Sequence, residues 1–251
     1  MQAALTVNGL KKSYKNLTAV DDLSFEVNRG EIFGLLGHNG AGKSTTIECI
    51  LGTKKHNAGT VQVLGMDPSS NRKELFEKVG VQFQQTNYQD KIKVSEMCRL
   101  TASLYRNPDD WKELLKTFGL SPMINKMVSE LSGGERQKLS VLLALIPKPE
   151  LVFLDELTTG LDSKARRDVW KHLAKLKSKG LTILLTSHYM DEVEALCDRV
   201  CILKKGKTVA MGTVKELLAN SPYDKFEEAY LWYSGEEEED EDESICSNDH
   251  N

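Results

Sequence analysis

The chain has 251 residues with a formal net charge of −4, and 40% of its residues are hydrophobic and 28% charged. This composition is typical of a globular protein and excludes collagen-like and wholly disordered chains. No apolar stretch approaches the roughly 18 residues that span a bilayer, so we expect no membrane-spanning segment. The five cysteines are odd in number and lack C-x-x-C spacing, which favours a reducing cytosol over a disulfide framework or a zinc site.

The acidic residues are concentrated at the carboxyl terminus. Residues 236–243 are eight consecutive acids and Asp249 is a ninth, so the remainder carries 33 basic residues against 37 − 9 = 28 acids, a net charge of +5. A body this weakly basic does not indicate nucleic acid as a partner. Because the segment 234–251 is like-charged and poor in apolar residues, we expect an acidic disordered tail there.

The first third of the chain is rich in strand patterns. Residues 3–27 alternate between apolar and polar positions, and the apolar run at 30–37 is closed by glycine, as in a buried central strand. A helical pattern follows at 43–51, and two further strands are expected at 59–65 and 79–83.

Strands and helices alternate in the rest of the chain. Apolar spacing predicts helices over 94–118, interrupted at Asn107 and Pro108. The elements expected after them are a helix at 134–146, a strand at 151–154, a helix at 163–178, a strand at 181–187, a helix at 190–197, a hairpin turning at Lys205 and Gly206, and a short helix at 213–220. This alternation predicts an α/β fold with a mostly parallel sheet covered by helices on both faces.

The strongest local motif is GHNGAGKS at 37–44, which matches G-x-x-x-x-G-K-[ST] between an apolar strand and a helix. Glycines let such a loop curl its N–H groups inward, and the helix start adds the positive end of its dipole. In this interpretation Lys43 reaches the β- and γ-phosphates of a nucleotide and Ser44 ligates Mg²⁺. The alternative is a glycine-rich turn without a ligand. The expected cofactor-binding residues here are Gly37, His38, Asn39, Gly40, Ala41, Gly42, Lys43, Ser44 and Thr45.

A second motif is LVFLDE at 151–156, an apolar strand that ends in two carboxylates where open α/β sheets bind ligands. Asp155 is expected to hold Mg²⁺ through its water shell, and Glu156 to act as general base toward an attacking water. Taken alone, the motif could equally be a solvated strand end. Its pairing with the glycine-rich loop favours the catalytic interpretation.

The sequence LSGGERQKLS at 131–140 resembles the signature of ATP-binding-cassette (ABC) ATPases and stands shortly before the apolar strand with two acids, as in that family. Further resemblances follow the family's order and cover residues 3 to about 219. They are Tyr14 of an A-loop, Gln84 of a Q-loop, Gly160, Leu161 and Asp162 of a D-loop, and His188 as the switch histidine. Gln85 is an alternative to Gln84, which we prefer because it directly follows the expected strand.

The resemblance implies a P-loop NTPase fold with a mostly parallel core sheet, an N-terminal antiparallel β subdomain and a helical subdomain at about 87–147, within a domain at 3–233. It implies ATP and Mg²⁺ as cofactors, Gln84 as a metal ligand that acts in catalysis with Glu156 and His188, and Asp162 beside the nucleotide. Tyr14 would stack on adenine. The plainer alternatives are a structural role for His188 and a strand-surface role for Tyr14.

The family pairs two such domains head to tail around two ATP molecules, which implies a second ATPase subunit as partner, identical or different. Ser132, Gly133 and Gly134 would then bind the phosphates held by the other chain. A plainer interpretation is a helix that begins with a capping box of Ser132 and Glu135. The two interpretations are compatible, since the capping box shapes the helix start that the partner's phosphate uses.

The resemblance implies an ATPase subunit that powers transport through separate membrane-spanning subunits, bound peripherally on the cytoplasmic face of a membrane. The loop GLLGHNGAGKST, Leu157 in place of the family's usual proline, and FEEAYLW at 226–232 resemble the drug- and lipid-exporter branch, so we expect export. A groove of the helical subdomain would receive a helix of the membrane subunit, although an ordinary packing face is the alternative.

A non-transport ABC ATPase of DNA repair, translation or cluster assembly is the rival interpretation. Repair enzymes of this type carry a long coiled coil between the two motifs, whereas only 86 residues separate Ser44 from Leu131 here. Translation factors of this type carry two cassettes, whereas each motif occurs once in this chain. These features favour transport.

Overall fold

The computed structural model describes residues 3–83, 88, 91–158 and 160–235. The strands found there are β1 (Ala3–Tyr14), β2 (Leu17–Asn28), β3 (Ile32–Leu36), β4 (Ala58–Val63), β5 (Val79–Gln82), β6 (Leu151–Asp155), β7 (Thr182–Ser187), β8 (Arg199–Lys204) and β9 (Lys207–Gly212). The α-helices are α1 (Lys43–Ile50), α2 (Arg72–Phe76), α3 (Val94–Ser103), α4 (Trp111–Thr117), α5 (Gly133–Leu145), α6 (Ser163–Lys177), α7 (Met190–Leu196), α8 (Val214–Ala219) and α9 (Phe226–Ser234).

Strands β2, β1 and β4 form an antiparallel sheet in that order. The apolar residues Leu5, Val7 and Leu10 of β1 are fully buried, whereas Thr6 and Asn8 between them are more exposed. This is the alternation that the amino-acid pattern predicts for a sheet with one buried face. The expected N-terminal antiparallel subdomain is confirmed.

The second sheet has six strands in the order β5-β6-β7-β3-β8-β9. The first five strands of that order are parallel, and β9 returns antiparallel to β8 through the expected hairpin. The strand ends are in register, with Leu36 opposite Ser187 and Asp155 opposite Thr186. The loops that follow β3, β6 and β7 therefore leave the same edge of the sheet, which is where open α/β sheets bind ligands.

The two faces of the parallel sheet are covered differently. One face packs against the antiparallel sheet and α1, and Phe25 of β2 stacks on Phe33 of β3 with 5.2 Å between ring centres. The other face packs against α3, α4, α5 and α6 through a core that includes Val152, Leu154 and Ile183. The expectation of helices on both faces was incomplete, because the first sheet also needs a surface on which to bury its apolar face.

The helical segments agree with the apolar spacing at 94–118 and 134–146, where α3, α4 and α5 lie. Helix α2 was not expected, because its five residues are too few to show a period. Helix α9 ends at Ser234, which is buried, one residue past the domain boundary expected at 233. The subdomain boundaries and the disordered tail remain predictions. None of the helices in the described ranges is long and apolar enough to cross a membrane.

The close approach of β5 to α5 generates a stability prediction. We expect Gly80→Ala to lower the free energy of unfolding by about 1–3 kcal/mol, because the added methyl group would collide with the main-chain carbonyl of Ala144. The matched change Gly34→Ala should cost less, because its methyl group would meet the Cys197 and Val200 side chains at 3.0 Å, and side chains can shift. Urea unfolding of both variants measures the difference. Equal losses would show that β5 and α5 are not in such tight contact.

Candidate functional site

The loop between β3 and α1 has a backbone that only glycine adopts easily. Gly37, Gly40 and Gly42 have φ angles of 148°, 83° and 105°. A Cβ atom on Gly37 would lie 2.6 Å from the carbonyl oxygen of Leu203, and one on Gly42 would collide with the carbonyl of Ala19. Glycine is therefore required here by both conformation and space, as the motif predicts.

Lys43, the first residue of α1, is buried against this loop and only 7% exposed. Its Nζ donates hydrogen bonds to the carbonyl oxygens of Gly37 at 2.5 Å and His38 at 3.1 Å. Burial lowers the pKa of the Lys43 ammonium, whereas the nearby charges of Glu156 and Asp155 act in the opposite direction. The loop thus holds a cation at its centre, beside two carboxylates.

The carboxylate of Asp155, at the end of β6, is buried and held by hydroxyl groups from two other elements. Its Oδ2 accepts a hydrogen bond from Ser44 Oγ at 3.3 Å, and its Oδ1 accepts one from Thr186 Oγ1 at 2.5 Å. The amide of Gln82 donates to the main-chain oxygen of Asp155 at 3.1 Å. A hydroxyl and a carboxylate in contact are oxygen donors of the kind that Mg²⁺ prefers, so this pair fits a magnesium ion.

Glu156 has a left-handed backbone, with φ of 52°, which is unusual outside glycine. Its N–H donates to the main-chain oxygen and the hydroxyl of Thr186 at 3.2 and 3.0 Å. From the other side, the amide of Gln137 on α5 donates to the carbonyl oxygens of Glu156 at 3.4 Å and Leu157 at 2.7 Å. These contacts fix the main chain of the strained turn from which the Glu156 side chain extends.

The glycine-rich loop, Glu156 and His188 line one cavity of about 410 Å³. His188 follows β7 and is exposed, and its ring lies 4.1 Å from that of Tyr189. Helix α9 forms another wall of this cavity, which no motif in the sequence predicts. The lining residues are Gly37, His38, Asn39, Glu156, His188, Met190, Glu227, Tyr230 and Leu231.

Ser132, Gly133 and Gly134 lie apart from this cavity, whose described lining does not include them. Ser132 Oγ accepts a hydrogen bond from Glu135 N at 3.2 Å, and Glu135 Oε2 accepts one from Ser132 N at 2.8 Å, as expected of a capping box. The Ser132 N–H lowers the pKa of the Glu135 carboxyl. A Cβ atom on Gly134 would lie 3.3 Å from Leu161, so the start of α5 adjoins the loop before α6.

The remaining predicted site residues lie in other parts of the chain. Tyr14 ends β1 and is 38% exposed, with the ammonium groups of Lys12 and Lys54 at 4.8 and 5.5 Å from its ring centre. The Asp162 carboxylate caps α6 through hydrogen bonds from two main-chain N–H groups, which lower its pKa. Gln84, like its alternative Gln85, lies outside the described residues, so its expected role stays untested.

Four groups that contact the site are not predicted by the sequence motifs: Gln82, Gln137, Thr186 and α9. The first three donate hydrogen bonds to Asp155 or to the Glu156 turn, and α9 lines the cavity. The only sequence signal for them was position. Gln82 and Thr186 stand at strand ends, and Gln137 stands four residues after Gly133 in the LSGG segment.

Comparisons with known proteins agree with this geometry. A family described as ABC transporter matches residues 20–159. Nod factor export ATP-binding protein I of Ralstonia nicotianae is 40% identical over 221 residues, which are 86% of this chain and 69% of that protein. The protein of the same name from Mesorhizobium japonicum is 40% identical over 220 residues, which are 86% and 65% of the two chains.

The fold has equally clear counterparts among solved structures. The ATP-binding subunit of an ABC transporter superposes with a TM-score of 0.85 at 28% identity, covering 92% of this chain and 99% of that one. A component of an ABC transporter complex from Clostridium perfringens superposes with a TM-score of 0.77 at 28% identity, covering 87% and 92%. The expected P-loop NTPase fold is therefore confirmed.

Proposed function

Because this chain belongs to the ABC transporter family as an ATP-binding subunit that hydrolyses ATP to power transport, we propose that it drives export through separate membrane-spanning subunits. The observation that carries the proposal is the convergence of the Lys43 loop, the Ser44–Asp155 pair, Glu156 and His188 at one edge of the sheet. The names of the export proteins that are 40% identical to this chain support the direction of transport.

In the proposed site the residues 37–45 bind the phosphates of ATP. The N–H groups of the loop and the start of α1 provide a positive electrostatic potential, and Lys43 provides a full charge. Ser44 and Asp155 would hold Mg²⁺, with Gln84 as a further ligand, and the ion supplies charge neutralisation to the β- and γ-phosphates. Tyr14, whose ring is partly exposed and lies near the ammonium groups of Lys12 and Lys54, would stack on adenine.

Glu156 is the proposed general base for hydrolysis. Its main chain is fixed by Thr186 and Gln137, so the carboxylate is presented to the cavity that also contains the glycine-rich loop. It would accept a proton from the water that attacks the γ-phosphate. His188, across the same cavity, would contact the γ-phosphate and hold it in position for that attack.

The role of Glu156 can be tested with Glu156→Gln. The amide has nearly the same shape but cannot accept the proton, so we expect ATP binding to persist and steady-state phosphate release to fall by ~10²–10⁴-fold. Glu150→Gln is the matched control, because Glu150 lies at the opposite end of β6, where it pairs with Arg29, and should leave the rate nearly unchanged. Turnover of Glu156→Gln close to that of the wild type would disprove the assignment.

We also propose that the complete site forms between two copies, or between this chain and a similar subunit. Ser132 and the N–H groups after it form a capped helix start, a suitable binding site for anions. In this chain that helix start lies apart from the cavity at the glycine-rich loop. A head-to-tail dimer would bring the helix start of each chain to the phosphates held by the other, with Asp162 at the same interface.

Mixing of inactive variants tests this arrangement. Lys43→Ala removes the phosphate-binding cation, and Ser132→Arg places a bulky side chain where the partner's nucleotide must fit. Each homodimer should be inactive, whereas a mixed dimer contains one site with both residues intact and should recover ATPase activity. As the control, a chain that carries both changes should recover nothing when mixed with wild type beyond the activity of residual wild-type dimers.

The readout is steady-state phosphate release, with the composition of the dimers checked by differential tags. Mixed dimers of the two single variants that form but stay inactive would argue against a site shared in this way. A parallel measurement of ATP-dependent dimer closure then shows whether the composite geometry is wrong or whether one intact site cannot turn over alone.

A groove beside β5 is the proposed contact with the membrane-spanning subunits. It is lined by apolar and aromatic residues from the end of β5, α3 and α5, among them Val81, Met97 and Leu143. Phe83 in its lining is 42% exposed, and Leu104, which is 69% exposed, lines a neighbouring cavity that shares two lining residues with the groove. Adjacent exposed apolar side chains of this kind mark an interaction surface, and a helix of the membrane subunit fits such a groove. Binding there would keep the chain peripheral on the cytoplasmic face of the membrane.

Leu104→Glu tests this surface at the rim of the groove, away from the residues that line the nucleotide cavity. We expect the purified variant to keep its ATPase activity but to lose copurification with the membrane-spanning subunits, because a charge would replace an apolar contact. Val209→Glu introduces the same charge at another exposed apolar position, on β9, and should not affect copurification. If Leu104→Glu copurifies as well as Val209→Glu does, the groove is not the docking surface.

A further inference from the structure

Glu192, in the first turn of α7, is a buried carboxyl group that the proposed reaction does not use. It is 0% exposed, although a glutamate is rarely buried in this way without a partner. One of its oxygens, Oε1, accepts a hydrogen bond at 3.0 Å from the indole N–H of Trp170 on α6. This contact ties one side of the carboxyl group to a long helix on the outside of the sheet.

Three buried polar atoms around this position make no hydrogen bond of ordinary geometry in the described part of the chain: Glu192 Oε2, Thr158 Oγ1 and Arg166 Nε. They belong to α7, the loop after β6, and α6. Native proteins rarely leave such atoms unsatisfied, so a group of them at one place calls for an explanation. Arg166 is otherwise occupied, since it pairs with Asp191 at 3.2 Å.

The surroundings of Glu192 show which groups face it. Burial raises the pKa of the Glu192 carboxyl, and the side chains of Ser187, Trp170 and Thr158 and the charge of Arg166 act in the opposite direction. The Thr158 hydroxyl therefore shares the pocket of the carboxyl group even though the two make no hydrogen bond of ordinary geometry.

Glu192 and Thr158 also belong to the two chain segments that carry His188 and Glu156. Glu192 lies four residues after His188, and its N–H donates to the carbonyl oxygen of Tyr189 at 3.2 Å, so it moves with the segment that carries His188. Thr158 lies two residues after Glu156 in the turn that Gln137 holds. A bond between Glu192 and Thr158 would connect these two segments directly.

We propose that Glu192 is a positioning residue whose Oε2 accepts a hydrogen bond from the Thr158 hydroxyl in the transition state of ATP hydrolysis, fixing the Glu156 turn relative to His188. This inference rests on the proposed roles of Glu156 and His188. Each partner acts through its neighbours and touches no reacting atom. Because the bond is made only in the transition state of hydrolysis, its loss slows turnover and leaves the affinity for ATP nearly unchanged.

The test is a double-mutant cycle on ATP hydrolysis with Thr158→Val, Glu192→Ala and the double variant. We expect Thr158→Val and Glu192→Ala each to lower kcat roughly tenfold with KM for ATP nearly unchanged, and the double variant to be no slower than Glu192→Ala. Two conservative changes should restore kcat. Thr158→Ser keeps the hydroxyl, and Glu192→Gln keeps an acceptor for Trp170 and provides a donor for Thr158.

Thr182→Val is the matched control, because it also removes a buried threonine hydroxyl, one that accepts a hydrogen bond from Gly30 N at the other end of β7. It should lower the melting temperature without changing kcat. Where Thr158→Val is too unstable to assay, Thr158→Ala and the Thr158→Ser rescue give the same comparison.

Wild-type kcat in Thr158→Val, or losses that add independently in the double variant, would overturn the proposal. Measuring Glu156→Gln beside these variants distinguishes an error in the role of Glu192 from an error in the proposed site as a whole. If Glu156→Gln is inactive and Thr158→Val is fully active, only the role of Glu192 is wrong. If Glu156→Gln is active as well, the proposed site itself is wrong.

Discussion

The hydrogen bonds that converge on the Asp155 carboxylate are the constraint on which the rest of the site depends. Thr186 of β7 donates to one oxygen and Ser44 of α1 to the other, so three elements distant in sequence meet at one buried charge. A buried carboxylate is tolerated only where such donors compensate for the loss of water. The bonds therefore fix the position of the start of α1 relative to the ends of β6 and β7. As a result, the glycine-rich loop and Glu156 line the same cavity.

The parts of the fold and site that the sequence predicted are those with a local physical cause. Gly37, Gly40 and Gly42 were predicted from their spacing, because a loop that curls around an anion needs positive φ angles at such positions. The capping box of Ser132 and Glu135 depends on residues three apart, and the order of strands and helices depends on apolar periodicity over short windows. In each case the signal and the structure occupy the same stretch of chain.

What the sequence could not predict are contacts between segments far apart in the chain. Nothing near Thr186 indicates that its hydroxyl meets a carboxylate 31 residues away, or that α9 closes one wall of the cavity. The packing of the antiparallel sheet on one face of the core is also a contact between distant segments. Alternating strands specify that one face is buried but not which element covers it. Gln84 remains a prediction, because it lies outside the described residues.

One of these distant contacts affects how two sites in the proposed dimer would behave. Gln137 belongs to α5, whose first turn Ser132 caps, and its amide holds the carbonyl oxygens of Glu156 and Leu157. The helix proposed to bind a partner's phosphates is thus attached to the turn that carries the proposed general base for the chain's own nucleotide. A displacement of α5 by ligand in one site would strain or relax the other. Cooperative turnover would then be a property of the two cassettes themselves, present before any membrane subunit is attached.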